Sequence, residues 1–145
     1  KFTRNILAGE PIDIYNHGNM RRDFTYIDDL VEAIWRLQAL VPEGPGRRGA
    51  LAAGDSLSPQ APWRVVNIGG GTPVALLEFI AEIEKACGRA ALRNYMPMQP
   101  GDVPLTFASP ALLEQLTGYK PSTTLAQGIP AFVEWYKTYR KSACK

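Results

Sequence analysis

The hydrophobic period changes part-way along one stretch, Arg21–Leu37, which reads RRDFTYIDDLVEAIWRL. Its first six residues show no helical period and predict an extended segment. From Ile27 onward, apolar residues recur three and four positions apart, which predicts an amphipathic helix with one buried stripe. Thr25 and Asp28 have the spacing of a capping box, so we expect the start of the helix there.

Strand patterns and helix patterns alternate on both sides of this stretch. Residues 11–15 (PIDIY) and 91–97 (ALRNYMP) predict short strands, and residues 63–69 (WRVVNIG) predict a buried one. Thr72 and Pro73 suit the N-cap and first position of a following helix. The order of these elements predicts a mixed α/β fold.

Two further helices are predicted toward the C-terminus. A short one begins at Ser109-Pro110 and ends near Gly118. The last helix carries Pro130, whose ring does not fit a helix interior, so we expect the helix to begin or kink there.

Composition excludes several classes of protein. The 145 residues are 46% hydrophobic, as in a folded domain, and the net charge of +2 is too small for a nucleic-acid-binding field. No apolar run reaches membrane-spanning length, so no membrane partner is expected. Cys87 and Cys144 form neither a disulfide framework nor a metal motif, which suits a reducing compartment and predicts a cytoplasmic protein. The basic end, YKTYRKSACK (136–145), reads as a solvated helix end, with a phosphate-binding patch as the alternative.

Two glycine-rich loops partly match the sequence pattern of a dinucleotide-binding turn. GPGRRG (44–49) matches G-x-G-x-x-G, but it follows a helix and precedes no amphipathic helix, so we interpret it as part of a flexible loop spanning residues 42–62. NIGGGTPV (67–74) has strand, turn and helix in the right order, yet Val74 stands where the third glycine belongs. Neither loop predicts a bound dinucleotide, although the second could bind an anion at a helix N-terminus.

Other catalytic patterns are missing from the sequence. His17 is the single histidine, and no serine or cysteine motif surrounds it. Asp28 and Asp29 are adjacent on a helix and diverge, and no residues have metal-ligand spacing. No tyrosine is followed four positions later by lysine. We therefore predict no catalytic residue and no metal site in these 145 residues.

The stretch Arg21–Leu37 resembles the pattern R-D-[FYW]-x-[YH]-[VI]-x-D-[LIV] of the extended short-chain dehydrogenase/reductase family, which includes the NAD-dependent epimerases and dehydratases. Flanking segments fall in that family's order: GEPIDIYNHGNM before it, then WRVVNIGGGTPVALLEFI, YMPMQPGDVPLTFAS and TGYKPSTTLAQGIPAFVEWY. MQPGDV and NHGNMRRDFTYIDD together are most similar to the branch that interconverts UDP-glucuronate and UDP-galacturonate.

The resemblance implies that residues 1–145 form the C-terminal substrate-binding region of an extended Rossmann-type epimerase, without most of the nucleotide-binding sheet. The resemblance implies an NAD-binding glycine loop near the N-terminus of the full-length enzyme and a catalytic Tyr-x-x-x-Lys pattern in mid-chain. Because this fragment has neither, we expect it to bind no NAD and to be inactive alone. The partners implied are a UDP-sugar and the missing N-terminal nucleotide-binding domain, and an exposed strand at 63–69 would favour homo-oligomers. Another epimerase, dehydratase or decarboxylase of the family, or a non-catalytic binding module, remain alternatives.

The same resemblance assigns substrate-binding roles to five residues. Arg22 would bind the diphosphate, Tyr15 would pack on uracil beside the backbone of Asp13, and Asp102 would orient a ribose hydroxyl or the arginine. Gln99 stands where related epimerases often have an arginine that reaches the phosphates. The competing interpretations are a surface salt bridge for Arg22, a plain strand aromatic for Tyr15 and a turn-forming role for Asp102.

Overall fold

The computed structural model describes residues 1–44, 51 and 54–143. GPGRRG lies outside the described residues from Pro45 onward, as do part of the 42–62 loop and Cys144. The chain forms two compact units. Unit 1 comprises Lys1–Phe24, Pro73–Thr106 and Thr123–Lys145, and unit 2 comprises Thr25–Thr72 and Phe107–Ser122.

Within the described residues, helices and short strands alternate as the sequence predicts, and the mixed α/β fold is confirmed. In chain order the elements are α1 (Phe2–Ala8), β1 (Pro11–Ile14), a 3-10 turn (Tyr15–Gly18), β2 (Arg21–Arg22), α2 (Ile27–Gln38), β3 (Val74–Ala75), α3 (Leu76–Cys87), β4 (Leu92–Tyr95), α4 (Ala111–Thr117) and α5 (Leu125–Ala143).

Unit 1 is built on a parallel pair of strands covered by helices. Strand β1 pairs with β4, with Pro11 opposite Leu92 and Ile14 opposite Tyr95. Alternate residues of β1 point inward, so Ile12 and Ile14 are fully buried while Asp13 faces outward. Helices α1, α3 and α5 complete a core whose buried members are Ile6, Ile12, Ile14, Ile80, Ile83, Ile129 and Val133.

The connection from α3 to β4 is held by one carboxylate. Gly88 ends α3 in the left-handed region, and Glu84 then accepts hydrogen bonds from the Ala91 amide (2.9 Å) and the Arg93 guanidinium (2.8 Å). Burial alone would raise the pKa of Glu84, but these two donors outweigh it and the pKa is lowered. The contacts fix where β4 begins beside β1.

The predicted start of α3 at Thr72 and Pro73 is wrong. Val74 and Ala75 instead pair antiparallel with Arg22 and Arg21, and the Leu76 amide donates to the Met20 carbonyl at 2.8 Å. Because residues 74 and 75 are held in a ladder, helical geometry can begin only at Leu76, with Ala75 as N-cap.

The predicted strand at residues 63–69 is also wrong, since no strand is assigned there. A strand requires a neighbouring backbone, and here a side chain takes that place: the Ser56 hydroxyl accepts from the Val65 amide (3.0 Å) and donates to the Val65 carbonyl. Arg64 pairs with the nearly buried Asp55 at 2.8 Å, which closes this segment of unit 2.

In unit 2, α2 confirms the predicted helix but not its capping box. Tyr26 is the N-cap, and no side chain caps the helix. Asp29 in the first turn is buried and accepts from the Tyr119 hydroxyl (2.8 Å) and the Ser122 amide (3.1 Å). The guanidinium of Arg36 lies 5.0 Å from the centre of the Tyr119 ring, a cation–π contact.

Helix α5 begins at Leu125, so Pro130 lies inside it and does not start it. Because proline lacks an amide hydrogen, the ladder bond from position 130 to the carbonyl of Ala126 cannot form. Among the described residues, neither α5 nor any other helix combines the length and apolarity needed to cross a membrane.

Candidate functional site

Unit 1 contains a cleft of about 160 Å³ that brings together four of the five predicted site residues. It lies where β1, the 3-10 turn, β2 and the segment after β4 meet. Its lining residues are Phe2, Asp13, Tyr15, Met20, Arg22, Leu76 and Asp102.

Asp13 enters the cleft from the outward face of β1. Its Oδ1 accepts a 2.8 Å hydrogen bond from Nδ2 of Asn94, the residue directly opposite on β4. The Nζ atom of Lys1 lies 3.9 Å from its other oxygen. The strand pair therefore sets the position of the carboxylate, and an amide and an ammonium group hold its orientation.

Tyr15 begins a turn with unusual backbone geometry. Asn16 and His17 adopt left-handed φ values of 50° and 51°, which costs a non-glycine residue about 1–2 kcal/mol. Two hydrogen bonds hold the turn: Asn16 Nδ2 donates to the Asn19 carbonyl at 2.8 Å, and the His17 amide donates to the Met96 carbonyl at 3.0 Å. The turn places the Tyr15 ring at the cleft rather than along the strand.

Arg22 is the cation of this cleft. Its NH2 lies 3.7 Å from Oδ1 of Asp102, and its NH1 donates to the Arg21 carbonyl at 2.9 Å. The Arg22 side chain is 24% exposed, so its guanidinium still reaches solvent. Arg21 differs, because its guanidinium donates to the Pro73 carbonyl at 2.6 Å and supports the β2–β3 connection.

Asp102 and Gln99 belong to one turn, but only Asp102 lines the cleft. The Asp102 amide donates to the Gln99 carbonyl at 3.1 Å, and Gly101 between them has φ +87°. This turn brings the Asp102 carboxylate to Arg22. The side chain of Gln99 is exposed and does not line the cleft.

The lining suits recognition of a polar ligand with an anionic group. A guanidinium donates two hydrogen bonds to phosphate oxygens, carboxylates accept from sugar hydroxyls, and an aromatic ring can stack on a base. Small-molecule sites usually enclose about 300–1,000 Å³. This cleft is smaller, so it would hold only part of a ligand of that size.

Sequence reasoning missed three apolar members of the lining, Phe2, Met20 and Leu76, and the partner of Asp13, Asn94. Their patterns indicate only core or strand residues, because an apolar residue in a cleft wall looks like any other in sequence. Asn94 lies beside Asp13 because β1 and β4 pair in a parallel register that only the structure shows.

The NIGGGTPV loop does not have the geometry of a dinucleotide-binding turn. In the NIGGGTPV loop, a Cβ at Gly71 would lie 2.9 Å from the Pro110 ring, so this glycine is required by packing. The loop runs into strand β3 instead of a helix N-terminus, so no helix start presents amides to a pyrophosphate here.

Comparison with known proteins supports the resemblance seen in the sequence. Residues 1–48 match the model of the NAD dependent epimerase/dehydratase family. Over 143 residues, covering 98% of the chain, the sequence is 56% identical to a probable UDP-glucuronate 4-epimerase of Rhizobium meliloti. The sequence is therefore similar to the NAD-dependent epimerase/dehydratase family in its first 48 residues and to this relative along nearly its whole length. It is also 48% identical to the protein CapI of Staphylococcus aureus over 97% of its length.

The fold agrees with solved members of this family. The UDP-glucuronic acid 4-epimerase of Bacillus cereus, in complex with UDP-glucuronic acid and NAD, superimposes with a TM-score of 0.74 at 25% identity. That alignment covers 95% of this chain and 38% of the B. cereus chain. The chain likewise spans only 42% of the length of the two curated relatives described above.

Proposed function

We propose that this chain is the substrate-binding portion of an NAD-dependent nucleotide-sugar epimerase that interconverts UDP-glucuronate and UDP-galacturonate through a 4-keto intermediate. The observation that carries the proposal is the convergence of Asp13, Tyr15, Arg22 and Asp102 in one cleft. The 56% identity to a probable UDP-glucuronate 4-epimerase supports the choice of substrate.

Each polar group of the cleft has a role in this proposal. Arg22 binds diphosphate oxygens, and Asp102 holds the guanidinium while accepting from a ribose hydroxyl. Tyr15 packs on the uracil ring, whose edge lies along the backbone beside Asp13. The 3.7 Å separation between Arg22 and Asp102 supports these roles, because a looser pair leaves the guanidinium free to bind phosphate.

The proposal divides the enzyme's work between two parts of a longer protein. NAD and the groups that transfer protons belong to an N-terminal nucleotide-binding domain, and this chain binds the UDP-sugar. The NIGGGTPV loop supports that division, because it leads into strand β3 and not directly into a helix. The 42% coverage of the curated relatives supports it as well.

Titration calorimetry with UDP tests the site. We expect Arg22→Ala to weaken UDP binding about tenfold or more, because a hydrogen bond to a charged group contributes about 1.5–3 kcal/mol. Arg36→Ala is the matched control, since this exposed arginine belongs to unit 2 and pairs with Glu32. Unchanged affinity in Arg22→Ala would show that Arg22 does not anchor the diphosphate.

A further inference from the structure

A second concave surface of unit 1, of about 320 Å³, lies between α1 and the end of α5. Helix α1 contributes Arg4, Leu7 and Ala8. Helix α5 contributes a ring and three cations, namely Tyr136, Lys137, Arg140 and Lys141. We call this surface the basic cleft. Within the part of the chain that the structure describes, no acidic residue lines it.

The basic cleft is separate from the candidate substrate site. Successive helix residues are about 100° apart, so Arg4 lies about 200° around the α1 axis from Phe2, which lines the first cleft. Leu7 and Ala8 lie on the same side as Arg4. Opposite faces of α1 therefore border the two clefts.

The cations of the basic cleft have no carboxylate partner among the described residues. In that part of the chain, none of Arg4, Lys137, Arg140 and Lys141 takes part in an ion pair. Among the described residues, the Arg4 side chain donates one hydrogen bond, to the Asn5 side-chain oxygen at 3.3 Å. Four like charges around one concavity repel one another unless an anion lies between them.

Helix-end electrostatics explains only part of this cluster. Arg140 and Lys141 occupy the last turn of α5, where cations offset the partial negative charge of the carbonyls. Arg4 comes from a different helix and lies in the middle of it. Its convergence with Lys137, at the spacing that puts Lys137 and Lys141 on one face, requires another explanation.

We propose that the basic cleft binds a small ligand carrying two or more phosphates, with an organic part resting on Leu7, Ala8 and the Tyr136 ring. The four cations match the charge of a di- or triphosphate. The apolar and aromatic residues of the lining favour a nucleotide over inorganic polyphosphate, because a base can lie flat against them.

Calorimetry on the purified chain with ATP, AMP, adenosine and tripolyphosphate tests the proposal. ATP should bind more tightly than tripolyphosphate and AMP, and adenosine should not bind. Binding should weaken as salt is raised from low to physiological concentration, since exposed charges are screened. Equal affinities for ATP and tripolyphosphate would refute the proposed role of Leu7, Ala8 and Tyr136. If neither compound bound, the proposed site itself would be refuted.

Variants locate the binding. We expect the triple variant K137Q/R140Q/K141Q to weaken ATP binding about tenfold or more, and Arg4→Gln to weaken it several-fold. Lys120→Gln removes one exposed cation of unit 2 and should have no effect. Arg22→Gln should also leave ATP binding intact, whereas a loss there would place ATP in the substrate cleft and overturn the proposal. Circular dichroism melting confirms that each variant is folded.

Discussion

Gly18 ends the turn that carries Tyr15, at a point of close approach to α3. Its φ is +82°, and an added Cβ would lie 2.6 Å from a methyl group of Leu77. We expect Gly18→Ala to lower the free energy of unfolding by about 2 kcal/mol, through backbone strain and overpacking together. Urea denaturation measures the loss.

Gly88→Ala separates these two causes. Gly88 also has a positive φ, +68°, but no described atom lies within 4 Å of the position that an added Cβ would occupy. Strain alone should then cost about 1 kcal/mol. Equal losses at the two positions would mean that the approach of Leu77 to Gly18 does not contribute.

Tyr119 links pH to the stability of unit 2. Burial and the hydrogen bond to Asp29 raise the pKa of Tyr119 from 10.0 to about 12. The folded state therefore holds the phenolic proton more tightly than the unfolded state, and its contribution is complete below pH 10. As pH rises from 10 to 12, the unfolded state loses its proton first, and stability falls.

We expect Tyr119→Phe to abolish this fall between pH 10 and 12. The variant should also lower the free energy of unfolding at neutral pH by about 1–3 kcal/mol, because the buried Asp29 loses a donor. Chemical denaturation across the alkaline range gives both quantities. Parallel pH dependences for the two proteins would contradict the assignment to Tyr119.

Among the elements, those with a local signal were predictable. Apolar spacing indicates α2, and a glycine in the left-handed region ends α1, α3 and α4 at Gly9, Gly88 and Gly118. The elements that were predicted wrongly depend on residues that lie far away in the sequence. The start of α3 is set by β2, some 50 residues earlier, and Val65 is bonded by Ser56 instead of a strand. Periodicity contains no information about which backbone lies alongside.

The candidate site likewise combines residues that the sequence indicated with contacts that only the fold reveals. Family resemblance indicated Asp13, Tyr15, Arg22 and Asp102, because each lies in a recognisable motif. Only the fold shows that Asp102 lines the cleft and that Gln99, three positions earlier in the same turn, does not. The ordering of Asp13 by Asn94 depends on a strand register that no local motif reveals.

Helix α5 contains a residue, Pro130, that is unfavourable in a helix interior. Pro130 is exposed within it and interrupts the ladder. We expect Pro130→Ala to raise the free energy of unfolding by about 1 kcal/mol, because the restored bond outweighs the greater freedom of the unfolded chain. Thermal and urea denaturation would show this. Pro42→Ala, in a segment without helix, should give no gain, and a gain there equal to that at position 130 would contradict the helical explanation.

For the whole molecule, the proposed division of labour predicts an inactive chain. With UDP-glucuronate and NAD added, we expect no UDP-galacturonate, because no tyrosine in the sequence has a lysine four positions later and neither glycine-rich loop predicts a dinucleotide-binding turn. Chromatography of the nucleotide sugars measures the product. A full-length relative such as the R. meliloti protein serves as positive control, and turnover by this chain would refute the proposed division.

The parallel pairing of β1 with β4 also constrains how the chain folds during synthesis. Pro11 and its partner Leu92 are separated by 81 positions, which is the difference between their residue numbers. At ribosomal rates of about 5–20 residues per second, β1 waits roughly 4–16 s for its partner to emerge. During that interval β1 cannot pair with β4, so the apolar side chains of Ile12 and Ile14 are not yet buried by that pairing. Binding of a chaperone to the segment around β1 would protect the nascent chain from aggregation until β4 arrives.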